Sequence, residues 1–110
     1  MTRDVSSAIA ALLKPRSVAV VGASTDATKT GGKPVAYLQK YEFAGAIWPI
    51  NPRAKEIAGL VSYPDIASLP AAPDVGLVLV GPDRAEAAVR ELAARGTKAA
   101  IVLAGGFGET

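Results

Sequence analysis

The stretch from Ser17 to Pro34, SVAVVGASTDATKTGGKP, constrains the fold more than any other part of this 110-residue chain. Ser17 to Val21 is a short, mostly β-branched apolar run that stops at Gly22, the pattern of a buried strand. Polar residues from Ser24 and Thr25 through Lys29 then lead to Gly31, Gly32 and Lys33, and Pro34 stands where the first turn of a helix accepts proline. A helix start offers unpaired N–H groups and the positive end of the peptide dipoles, so a glycine-bearing loop between strand and helix can bind phosphate. A glycine that only turned the chain would not need Lys29 and Lys33 beside it. The candidate anion contacts here are Gly22, Ala23, Ser24, Thr25, Lys29 and Lys33.

Strands and helices alternate through the rest of the chain. Ser6 to Leu13 has Ile9, Leu12 and Leu13 at helical spacing and is stopped by Pro15. A second helix is expected from Pro34 to Phe43, with Val35, Leu38 and Phe43 inward and Gly45 as its left-handed terminator. Ala46 to Ile50 reads as the second strand, and Pro49 marks it as a strand end or sheet edge. Ile57 to Pro73 is loop-like, with a short edge strand near Val61 to Tyr63 and with Tyr63 and Ile66 covering the sheet. The continuous apolar run Val75 to Val80 suits a parallel strand buried on both faces. In the helix that follows, Asp83 and Glu86 form a capping box, Ala85, Ala88, Val89 and Leu92 face inward, and Gly96 closes it. Lys98 to Leu103 is the last strand, ending in Ala104, Gly105 and Gly106, a turn that normally introduces a further helix.

These elements predict an α/β, Rossmann-like open parallel sheet of about five strands, order 3-2-1-4-5, with helices on both faces. Residues 1–110 read as one domain cut short at its carboxyl end. Ligands of such sheets bind beyond the carboxyl ends of the strands, so the turns after Val21, Ile50, Val80 and Leu103 are expected around one crevice. At the end of the second strand a dinucleotide-binding domain usually carries an acid for the ribose hydroxyls. Here Asn51 and Pro52 stand there, followed by Arg53 and Lys55, two cations that suit a phosphorylated ribose, as in NADP or coenzyme A, unless they are simply solvated.

Composition narrows the chemistry. Half of the residues are apolar and the net charge is only +2, yet Lys14 to Lys55 holds seven Lys/Arg against two acids, and Glu56 onward four against seven. The basic half can hold an anion, while the interleaved basic and aromatic surface of a nucleic-acid binder is missing. The chain has no cysteine and no histidine, which removes thiolate metal sites, a cysteine nucleophile, the commonest general base and any Ser-His-Asp triad. No signal peptide or membrane-length apolar run is present, so the expected location is cytoplasmic, with no membrane partner.

Taken together, LLKPRSVAVVGAST, GGKP, IWPINPRAKEIAGL, SYPDIASLP and AAIVLAGGFGET resemble the N-terminal CoA-binding domain of NDP-forming acyl-CoA synthetases, relatives of the succinyl-CoA ligase alpha subunit. The resemblance runs from about Leu12 to the end. It implies that coenzyme A, or an acyl-CoA, is the ligand and that Gly22 to Thr25 lie near its nucleotide and phosphates. It also implies that the basic residue after Asn51-Pro52, either Arg53 or Lys55, contacts CoA, and that Val80-Gly81-Pro82 and Ala104-Gly105-Gly106 wall the pantetheine. Gly81 and the Leu103 to Gly106 turn depart mildly from the family's usual small residue plus proline and Ser-Ala-Gly-Phe. In such ligases a phosphohistidine-bearing domain and an ATP-grasp unit, as downstream domains or subunits, carry the chemistry, so this histidine-free segment is expected to bind CoA without catalysing ligation alone. Two other readings compete: an NADP-binding domain of an oxidoreductase or redox sensor, disfavoured by the absence of tight G-x-G-x-x-G spacing, and a stand-alone CoA-binding protein.

Overall fold

The computed structural model describes residues 14–26 and 30–103, which leaves the expected helix at Ser6 to Leu13, Lys29 and the turn Ala104 to Gly106 outside the described residues. Four strands form one parallel sheet: β1 Ser17–Val21, β2 Ala46–Ile50, β5 Val75–Val78 and β6 Ala99–Val102, in the order β2-β1-β5-β6. A small antiparallel pair, β3 Glu56–Ile57 and β4 Leu60–Val61, precedes β5. Two helices connect the strands, α1 Lys33–Lys40 and α2 Pro82–Arg95.

β1 and β2 have the expected bounds, and β2 is the edge strand that Pro49 requires. The fifth strand shrinks to one parallel bridge between Ile50 and Tyr63, where Tyr63 N donates to Pro49 O and Asn51 N donates to Tyr63 O. Each face of the sheet has its own core, because alternate residues of a strand point to opposite sides. Val18 and Val20 face α1 with Val35, Ile57 and Val75; Ala19 and Val21 face α2 with Ile50, Ile66, Leu69, Val78, Ala85, Ala88 and Leu92. Gly76 lets α2 sit close: a methyl group there would lie 2.5 Å from Leu92 Cδ1. At the other edge, on β6, Ile101 and Val102 are exposed.

Three local expectations are corrected. Gly45 is not a left-handed terminator; α1 ends earlier, Glu42 takes the positive φ of 54°, and Gly45 is required because a side chain would strike the Arg16 carbonyl. Asp83 and Glu86 do not form a capping box: Pro82 takes the first helical position, so the cap falls on Gly81, which has no side chain, and Glu86 instead pairs with Arg90 at 2.7 Å. The stretch after Lys55 contains the β3–β4 hairpin, turned by Ala58 (φ 54°) and Gly59 (φ 82°), the two positive φ angles of a tight type I′ turn. The inward stripe of α2 and its left-handed Gly96 (φ 100°) are as expected.

Candidate functional site

A crevice of about 530 Å³ opens at the carboxyl ends of β1, β2 and β5, on the α2 side of the sheet. Its floor is Val21, Ile50 and Ile66; its upper rim is Gly22, Ala23, Ser24, Asn51 and Pro52. One wall is the segment from Leu79 and Val80 into the Arg84, Ala87, Ala88, Glu91 side of α2, and the other is Pro64 and Asp65. This volume and mainly apolar lining with a few polar groups are those of a small-molecule site.

Main-chain bonding fixes the rim. Gly22 (φ 90°) turns the chain out of β1, and both Gly22 N and Ala23 N donate to Ile50 O at 3.2 Å. Ser24 N donates to Gly31 O at 3.0 Å, and the Ser24 hydroxyl accepts from Asp26 N. Asn51 joins the two turns: its Nδ2 donates to Ala23 O at 2.9 Å, while its Oδ1 accepts from Arg53 N and Ala54 N. Its side chain is thus committed to backbone, and it acts on the crevice by holding the rim in place. On the opposite wall Asp65 caps the short 3-10 turn Ile66–Ser68, accepting from Ser68 N and Ser68 Oγ at 2.9 and 2.7 Å. Arg95 clamps that turn to α2 by donating to the carbonyls of Ile66, Ala67 and Leu69.

The turns after Val21 and Ile50 meet in one crevice with the segment after β5, which ends at Val78 and not at the expected Val80; the turn after Leu103, also expected there, lies outside the described residues. Gly22, Ala23, Ser24, Asn51, Pro52 and Val80 line it, whereas Thr25, Lys33, Arg53, Lys55, Gly81 and Pro82 stand outside the lining. Arg53 and Lys55 are exposed just beyond Pro52. Sequence reasoning missed Arg84, Asp65 and Glu91. Arg84 had a usable signal: once Ala85, Ala88 and Leu92 face the sheet, residues 84, 88 and 91 form the adjacent stripe of the same helix.

The profile of a CoA binding domain family matches residues 16–110 of the chain. A trans-feruloyl-CoA synthase of an unknown prokaryotic organism is 39% identical over 98 residues, spanning 89% of this chain and 14% of that protein. An ADP-forming acetate–CoA ligase of Archaeoglobus fulgidus is 37% identical over 98 residues, spanning 89% of this chain and 15% of its own length. Among solved structures, a dinucleotide-forming acetyl-coenzyme A synthetase of Ca. Korarchaeum cryptofilum superimposes with a TM-score of 0.84 at 36% identity, over 90% of this chain and 22% of that one. The chain thus spans about a seventh of the length of each of these two relatives.

Proposed function

The chain belongs to the CoA-binding domain family, and we propose that its crevice holds the nucleotide end of coenzyme A within a longer NDP-forming acyl-CoA synthetase. One observation carries the reading: the turns after three neighbouring parallel strands converge on a crevice of ligand size at the switch point of the sheet, where this fold class binds nucleotides. The residues fit the ligand. The apolar floor suits the adenine ring, and the absence of a side chain at Gly22, where a methyl would lie 3.1 Å from Val80 Cγ1, leaves room at the rim. The pantetheine is assigned to Val80-Gly81-Pro82 and Ala104-Gly105-Gly106, and Lys29 and Lys33 are assigned to the ligand as the cations of the glycine loop. The 3′-phosphate is assigned to the exposed pair Arg53 and Lys55 beyond Asn51-Pro52.

In this role the domain presents CoA to a phosphohistidine-bearing domain and an ATP-grasp unit of the parent enzyme, in the cytoplasm. Among the described residues, no helix is long and apolar enough to cross a membrane. Calorimetric titration of the chain with CoA, dephospho-CoA, NAD and NADP at fixed low salt tests the reading. CoA is expected to bind more tightly than dephospho-CoA, with no nicotinamide binding; NADP binding without CoA binding overturns it. Arg53→Ala and Lys55→Ala are expected to weaken CoA by about ten- to a hundredfold and dephospho-CoA far less, the loss of one charge-assisted contact. Equal losses for both ligands remove the 3′-phosphate assignment.

A further inference from the structure

We propose that Arg84 supplies the charge that holds the 5′-diphosphate of coenzyme A, an assignment that rests on the CoA reading of the crevice. The glycine loop has little left to offer an anion from its first turn. The amides of Gly22 and Ala23 are spent on Ile50 O, and that of Ser24 on Gly31 O. A diphosphate lying beside that first turn therefore needs donors from side chains that reach into the crevice.

Among the described residues that line it, Arg84 is the one cation, on the wall that the segment after β5 and α2 form. The other described arginines near either face are occupied or outside. Arg16 pairs with Asp74, Arg90 with Glu86, and Arg95 donates to three carbonyls, while Arg53 lies beyond the rim. No carboxylate among the described residues pairs with the Arg84 guanidinium. Its place in the fold also lacks a structural return. Arg84 sits in the first turn of α2, where the helix dipole favours acids and disfavours a cation.

The acids of the crevice sharpen the position. Asp65 is committed to capping Ser68, and Glu91 stands on the same stripe as Arg84 but seven residues on, about 10 Å along the helix. An anion is thus attracted at the Arg84 end of the crevice and repelled at the Glu91 end. A planar guanidinium presents a fixed fork of N–H donors that matches two non-bridging phosphate oxygens, whereas a lysine ammonium acts as a point charge. The 3′-phosphate is then left to Arg53 and Lys55, exposed beyond Asn51-Pro52.

The test is calorimetry of the full 110-residue chain and its Arg84→Gln, Arg84→Lys and Arg53→Ala variants with CoA and with dephospho-CoA, alongside thermal melts. Arg84 is exposed, so the variants are expected to melt with the parent. Arg84→Gln is expected to weaken both ligands alike, by about ten- to a hundredfold, with Arg84→Lys recovering part of the loss. Arg53→Ala is expected to separate the two ligands. A loss confined to CoA would move Arg84 to the 3′-phosphate and overturn the inference. Unchanged affinity for both ligands would overturn it while leaving the CoA reading intact, and failure of the parent chain to bind either ligand would remove both.

Discussion

The turn that leads into α1 and the turn that leads into α2 look alike in sequence, each a buried strand followed by glycine and proline, yet they serve the crevice differently. The first is long and is tied inward: three of its amides donate to Ile50 and Gly31, and Asn51 grips it from the neighbouring turn. The second is short; Leu79 N still donates to Val21 O, and Gly81 caps α2 two residues later. The long turn gives shape, a rigid rim, and the short one gives charge, an arginine on the first turn of its helix. Glycine content alone does not say which turn meets the anion. What matters is whether its N–H groups remain unspent.

The largest way to break this contrast is to loosen the wall that carries the charge. Leu92 is fully buried on the inner side of α2, so Leu92→Ala is expected to cost about 2–5 kcal/mol in chemical denaturation. Affinity should fall as well in conditions where the variant remains folded, because Leu92 seats α2 against the sheet although it does not line the crevice. Next is the long turn. A methyl at Gly31 would lie 2.6 Å from the Gly22 carbonyl oxygen, a rigid backbone atom, so Gly31→Ala is expected to lose about 1–3 kcal/mol and to weaken CoA along with stability. If stability falls and CoA affinity does not, the rim has no part in binding. The smallest effect is expected from Asn51→Ala, which removes the tie between the two rim turns and should cost on the order of 1–2 kcal/mol. Its affinity loss should be equal for CoA and dephospho-CoA, since Asn51 positions the rim and touches no one phosphate.

Much of the architecture is legible because it depends on contrasts the chain itself displays. β1 and β2 end where apolar runs meet Gly22 and Asn51, and α2 is set by the spacing of Ala85, Ala88 and Leu92 and the stop at Gly96. Features that depend on distant backbone are not legible. Gly45 reads as a helix terminator until the Arg16 carbonyl is seen against it, and Ala58 gives no sign of its positive φ because hairpin turns usually advertise themselves with Asn or Asp. The site divides in the same way. Gly22 to Ser24, Asn51, Pro52 and Val80 were accessible from strand ends, whereas Arg84 is one charge among several in PDRAEAAVREL until the rotation of the helix is known. Asp65 and Arg95 act through carbonyls and amides of a 3-10 turn that has no sequence pattern of its own.

Gly76 lies within β5 and does not itself line the crevice, yet its empty position bears on the crevice's aperture. Because it has no side chain, Leu92 seats against the strand and α2 rides low on the sheet. The helix is a stiff rod, so its height above β5 is passed along its length to Ala88, Ala87 and Arg84. One missing methyl group therefore fixes how wide a ring can enter and how far the guanidinium must reach. Gauge and grip are set by the same empty position, and a larger residue there would spread the mouth before it touched any ligand.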